Sequence, residues 1–190
     1  MNFVELFLLA VGLSMDAFAV AICKGLSMTM APFKKMLIVG LYFGAFQAAM
    51  PLIGYLTATL FASMIVAYDH WIAFCLLCFL GGKMILGSFA KKDCPDRETS
   101  LRPAEMLPLC FATSIDALAV GVSFAFLRIY IVPAISIIGL TTLFISMAGV
   151  KIGNIFGARR FKSAAELAGG AILVLIGIKI LLEHLGIVVL

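Results

Sequence analysis

One ten-residue pattern occurs twice in this chain, and it restricts every fold open to it. Leu13-Ser14-Met15-Asp16-Ala17-Phe18-Ala19-Val20-Ala21-Ile22 recurs as Thr113-Ser114-Ile115-Asp116-Ala117-Leu118-Ala119-Val120-Gly121-Val122, 100 positions later in a chain of 190 residues. Each copy sets an Asp, with a Ser two residues before it, inside an otherwise apolar run. A carboxylate in such a run is unfavourable in a bilayer and marks a functional site by default. Two at equivalent points of a duplicated chain predict one site built from two halves.

Composition places those runs in a membrane. The chain is 64% hydrophobic and only 13% charged, about half the charge of a soluble domain, and its mean hydropathy is +1.17. The start, Met1-Asn2-Phe3-Val4-Glu5, lacks the basic region of a cleavable signal, so the first apolar segment is expected to stay as a span. Six segments approach the roughly 20 residues that cross a bilayer core: 3–23, 36–61, 70–90, 105–127, 130–153 and 166–188. The expected fold class is therefore an all-α membrane protein of six transmembrane helices. Pro51 predicts a tilt or kink in the second span.

Charge orients the spans. Lys24, Lys34 and Lys35 follow span one; Lys91, Lys92, Arg97 and Arg102 follow span three; Arg159, Arg160 and Lys162 follow span five. These ten face Arg128 alone on the other side, an excess that marks the cytoplasm and predicts both termini outside it. The net charge of +4 is thus a topology signal and no sign of a nucleic-acid partner. The five cysteines, Cys23, Cys75, Cys78, Cys94 and Cys110, suggest no disulfide framework and read as small packing residues.

The duplication extends past the Asp motif. Gly40, Gln47 and Gly54 correspond to Gly139, Ser146 and Gly153, and Gly81-Gly82-Lys83-Met84-Ile85-Leu86 resembles Gly177-Ile178-Lys179-Ile180-Leu181-Leu182. Three spans per half is odd, so the second half enters the bilayer from the opposite side, as two inverted three-helix repeats. The expected division is 1–90 for the first repeat, 91–104 for a charged, Pro-containing cytoplasmic linker and 105–190 for the second.

The polar residues inside the spans define a candidate site. Asp16 shares a helix face with Gly12, Leu13, Ala19, Val20 and Cys23, and Asp116 with Ala112, Thr113, Ala119, Val120 and Ser123. Ser14 and Ser114 lie about 200° round from their Asp on a regular helix. They reach a shared ligand only through local unwinding, and otherwise bond to backbone. Gln47 sits mid-span with Gly44 and Pro51, and Ser146 with Thr142 and Gly149. Two carboxylates with amide and hydroxyl oxygens, and no His beside them, suit a hard divalent cation such as Mg, Ca or Mn. Interhelical hydrogen bonding accounts for the neutral members equally well. The carboxylates could alternatively be protonated, or paired with Lys83, Lys151 or Lys179. Lys83 and Lys179 lie near span ends, where they can snorkel to the interface and need not meet the aspartates.

The two Ser-x-Asp-Ala-x-Ala-Val stretches, with Phe43-Gly44-Ala45-Phe46-Gln47 and Gly81-Gly82-Lys83-Met84-Ile85, resemble the bacterial MntP-type manganese efflux pump family over essentially the whole chain. The resemblance implies a bacterial inner-membrane exporter of Mn2+ with Asp16 and Asp116 central to transport, no enzyme activity and no resident cofactor. Some members carry Glu at the Gln47 position. Expelling a divalent ion against the membrane potential costs roughly 4.6 kcal/mol per 100 mV. No Gly-x-x-x-x-Gly-Lys-Ser/Thr loop is present to couple nucleotide hydrolysis, so protons entering on the same carboxylates are the simplest partner ions. The metal set read from the sequence is Asp16, Asp116, Gln47, Ser146, Ser14, Ser114, Thr113 and Thr142. Export of another divalent cation or a cationic amino acid is the main alternative. A non-transporting membrane interaction protein is a further one. An intramembrane aspartyl protease also needs two membrane aspartates, but the matching Ser-x-Asp-Ala contexts suit a pseudo-symmetric ion site better.

Overall fold

The computed structural model describes residues 3–28, 30–61, 69–89, 101–156 and 159–184. They form six helices: α1 (Phe3–Leu26), α2 (Phe33–Phe61), α3 (Asp69–Phe89), α4 (Pro103–Phe126), α5 (Ile131–Phe156) and α6 (Arg159–His184). Each contains most of one expected span. Among the described residues, α1, α2, α4 and α5 are long and apolar enough to cross a membrane, and α6 contributes the shorter apolar stretch Leu167–Leu182. α6 begins at Arg159 rather than at 166 because its basic first turn continues the helix beyond the apolar stretch. α2 runs unbroken through Pro51. Most of the expected linker, 91–100, lies outside the described residues.

The surface is inverted relative to that of a water-soluble bundle. Phe3, Leu60, Phe79, Leu86, Tyr130, Phe144 and Leu175 point outward, while Ser14, Gln47, Ser114, Thr142 and Ser146 are fully buried. In a bilayer an outer Leu or Phe meets hydrocarbon, and polar groups find partners only within the bundle.

The helices are braced across the sequence rather than within hairpins. α1 packs mainly on α5, α2 on α4 and α5, and α3 on α6, whereas α1 barely touches α2 and α4 barely touches α5. Contact registers give the directions. Ser14 meets Thr142, and Phe18 and Ile22 face Gly149 and Gly153, so α1 and α5 run parallel. Gln47 meets Ser114, and Gly54 faces Leu118, so α2 and α4 also run parallel. α1 and α4 are opposed. Leu6, Leu9 and Leu13 share a core with Val120 and Phe124 from the end of α4. Ala17 and Ala21 share another with Met106 and Cys110 from its beginning.

Glycine sets the closeness of these crossings. Gly54 lies against the Leu118 carbonyl and Gly153 against the Ile22 carbonyl, so a Cβ at either would collide with backbone. Small residues allow this approach, which van der Waals packing in a membrane requires.

Two details close the helix ends. The Asn154 side chain donates to the carbonyls of Gly25 (3.2 Å) and Met28 (2.6 Å), supplying α5 donors to the end of α1. Arg128 adopts φ 52° in the turn from α4 to α5, where the Ile129 N–H returns to the Phe124 carbonyl at 3.0 Å, a Schellman-type closure. The cysteine expectation needs one correction: Cys23 is disulfide-bonded, while Cys75, Cys78 and Cys110 are free thiols. Cys94 lies outside the described residues.

Candidate functional site

Four helices bring their polar side chains to the middle of the bundle in two sets. In the first, Ser14 Oγ and Thr142 Oγ1 lie 2.8 Å apart. Ser14 also donates to the Ala10 carbonyl at 2.6 Å, and Thr142 to the Ile138 carbonyl at 2.8 Å. Each hydroxyl has one proton, so two protons serve three short contacts. In the second, Gln47 Nε2 donates to the Leu13 carbonyl at 3.1 Å, and Ser114 Oγ donates to Gln47 Oε1 at 2.9 Å. Gln47 therefore ties α2 to α1 and α4 at once. Pro51 has no N–H to give the Gln47 carbonyl one turn earlier, which leaves that backbone oxygen without its helical donor.

Ser146, one turn beyond Thr142 on α5, is fully buried, and its Oγ has no hydrogen-bond partner. Its counterpart Gln47 is long enough to span two helices, whereas a Ser hydroxyl reaches only its immediate surroundings. Buried side-chain polar atoms are rarely left unsatisfied, so each such atom calls for an explanation.

The carboxylates occupy different faces from the serines. Asp116 is 3% exposed. Its Oδ1 accepts from Lys83 Nζ at 3.2 Å, and its Oδ2 is buried without a partner. Lys83 thus does meet an aspartate, the pairing that the sequence left open as an alternative. α3 packs on α4, which brings the flexible lysine stem within reach. Asp16 is half-buried on α1. Gly12, one turn before it on the same face, lies against Leu173 and Gly169 of α6. Lys179, the repeat counterpart of Lys83, forms an ion pair with Glu5.

α1 and α4 are continuous helices through both motifs, so the unwinding that would turn the serines toward the aspartates is absent in this conformation. Ser14 and Ser114 join the neutral interhelical set instead. Thr113 turns its hydroxyl to its own helix, to the carbonyls of Leu109 (3.0 Å) and Cys110 (3.1 Å). Among the described residues no three His, Cys, Asp or Glu side chains cluster closely enough to hold a metal. An ion at Asp116 would therefore draw on hydroxyl, amide or carbonyl oxygens as well. Sequence reasoning missed Asn154 as an interhelical clamp. Its place beside Gly149 and Gly153 on α5 was the available signal, since those glycines bring α1 close.

A family model described as "Putative manganese efflux pump" matches residues 30–181. A protein of Desulfitobacterium hafniense named "Putative manganese efflux pump MntP" is 60% identical over 186 residues, covering 98% of this chain and 97% of its own. Proteins of the same name from Acetivibrio thermocellus and Mannheimia succiniciproducens are 51% and 49% identical, covering 99% and 97% of this chain and 94% and 98% of their own. No solved structure matches. With apolar helices long enough to cross a bilayer and full-length relatives of one name, this multi-pass membrane protein belongs to the MntP family.

Proposed function

We propose that the chain exports Mn2+ from the cytoplasm across the bacterial inner membrane by alternating access, with Asp16 and Asp116 as the charged ligands. The single observation that carries this reading is the Asp116 carboxylate, buried in an apolar bundle with Oδ2 unpartnered. A polar oxygen so placed is poised for a ligand that comes and goes. Full-length relatives named as manganese efflux pumps support the identity of that ligand. The unpartnered Ser146 hydroxyl and the Gln47 carbonyl that Pro51 leaves without its helical donor are the candidates for neutral ligation, with Ser14, Ser114 and Thr142 supplying oxygens once their mutual bonds open. Thr113 enters only if its hydroxyl leaves its own helix.

The chain is read as two inverted three-helix repeats, 1–90 and 105–190, joined by the cytoplasmic linker 91–104. The opposed directions of α1 and α4 and the paired glycine crossings at Gly54 and Gly153 support that reading. Both termini then lie outside the cytoplasm. A cysteine introduced at Ser100, in a background lacking the native cysteines, is expected to resist an impermeant thiol reagent added to intact cells. Labelling from outside would reverse the orientation.

Coupling follows from charge. Exchange of one Mn2+ for two protons on the two carboxylates moves no net charge, which removes the roughly 4.6 kcal/mol per 100 mV that uncompensated export would require. In proteoliposomes an imposed pH gradient is expected to drive Mn2+ to the acidic side. Accumulation that persists after an ionophore collapses the gradient, yet stops when sodium is withdrawn, would replace protons with sodium. Screening Mn2+, Mg2+, Ca2+, Zn2+ and Co2+ in inverted vesicles tests the metal itself, and efflux of another ion in preference to Mn2+ would overturn the substrate assignment.

A further inference from the structure

Lys83 and Asp116 are unlike partners. The Asp116 side chain is 5% exposed while that of Lys83 is 53% exposed, with Nζ 3.2 Å from Oδ1. The aspartate is fixed on a packed face of α4, between buried Thr113 and Val120. The lysine reaches it from α3 on a four-carbon stem with room to move. Next to it, a Cβ built on Gly82 would meet nothing within 4 Å, so that one face of α3 is open, while Gly81 packs the other against Gly170 of α6.

We infer that the Lys83 ammonium is a tethered counter-ion that competes with the transported metal for Asp116 and thereby selects divalent over monovalent cations. The inference rests on the reading of Asp116 as a metal ligand. With neither metal nor proton on it, the Asp116 carboxylate would be an unpaired buried charge, which is strongly unfavourable, and the ammonium neutralises it. An arriving divalent ion carries twice the ammonium's charge to the same oxygens. The two cations repel, and the one on the flexible stem leaves. A sodium or potassium ion brings no more charge than the ammonium it must displace. It also lacks the high effective concentration that tethering gives the lysine. The pair therefore acts as a charge threshold on a single carboxylate.

The test uses purified full-length protein in lipid nanodiscs, with Mn2+ as the probe and binding followed by titration calorimetry, with and without excess Na+. Lys83→Gln removes the competitor, and Mn2+ is expected to bind roughly tenfold more tightly, within the span of ordinary coupling between two ligands. Na+ should now compete, as it does not in the unaltered protein. Lys83→Arg preserves the charge and can grip the carboxylate with two parallel hydrogen bonds, so Mn2+ should bind less tightly than to the unaltered protein. A purely stabilising ion pair predicts a less stable Lys83→Gln protein with no gain in affinity. Unchanged or weaker Mn2+ binding by Lys83→Gln would overturn the inference. If that variant does not fold, Lys83→Arg decides alone, and binding as tight as in the unaltered protein refutes it. Asp116→Asn separates the two levels. Undiminished Mn2+ binding by that variant removes Asp116 from the metal site altogether. Lost binding with indifferent Lys83 variants leaves the site standing and removes only the role of the lysine.

Discussion

Asp116→Asn is expected to abolish manganese export while the protein remains in the membrane, and Asp16→Asn is expected to do the same. Asn keeps the shape and removes the charge. At an effective dielectric of about 20, a unit charge 4 Å from another is worth about 4 kcal/mol, and a divalent ion doubles that before desolvation is subtracted. Losing even a third of the total approaches a hundredfold in affinity, since each 1.4 kcal/mol is tenfold. Asp116→Asn also leaves the Lys83 ammonium without its counter-charge. Ser14→Ala and Ser114→Ala are expected to be mild. Each removes one interhelical contact, worth roughly 0.6 kcal/mol on average in a membrane. Manganese efflux from loaded cells, with membrane abundance measured alongside, checks the series. Normal efflux by either Asp→Asn variant would contradict the assignment.

Gly54→Val is the second large effect, and it strikes the fold rather than the ion. Any Cβ at Gly54 meets the Leu118 carbonyl and backbone of α4. Backbone cannot rotate aside as a side chain can, so the two helices must separate, and the Gln47 to Ser114 hydrogen bond one crossing away is lost with them. Overpacking in a core typically costs about 1–3 kcal/mol, and displacing a whole helix belongs at or above the top of that range. Gly153→Val should behave alike, since its Cβ would meet the Ile22 carbonyl of α1. Gly82→Ala is the control: its Cβ enters open space, and replacing a helical Gly by Ala favours the helix by up to about 1 kcal/mol. Thermal unfolding of the detergent-solubilised proteins separates them. A Gly54→Val protein that unfolds at the temperature of Gly82→Ala would refute the close crossing.

The helices were legible because their signals are local. Apolar runs bounded by Lys and Arg mark the spans, and a repeated Ser-x-Asp-Ala motif needs no folding to be seen. Helical geometry also placed Ser14 and Ser114 away from their aspartates correctly. What they meet instead was not legible, because Thr142 lies 128 positions from Ser14 and Gln47 lies 67 from Ser114. Lys83 illustrates the same limit. A lysine stem can snorkel to the interface or cross to a neighbouring helix, and a helix apolar on all sides carries no pattern that reveals its rotation. Ser146 was found by alignment to Gln47, but its missing partner depends on how far two side chains reach, which only the packed bundle decides.

The cross-bracing has a consequence for how the protein is made. α1 rests on α5, and α2 on α4 and α5, so the first helices to leave the ribosome emerge without the surfaces they pack against. Buried Ser14 and Gln47 must wait in lipid, or in the insertion machinery, until Thr142 and Ser114 have been synthesised. Assembly is therefore a late event, and a chain truncated after α3 is expected to lack the interfaces that α4, α5 and α6 supply. The same geometry makes the two halves obligate partners. Expressed as separate polypeptides, each would find in the other what its own hairpin does not provide.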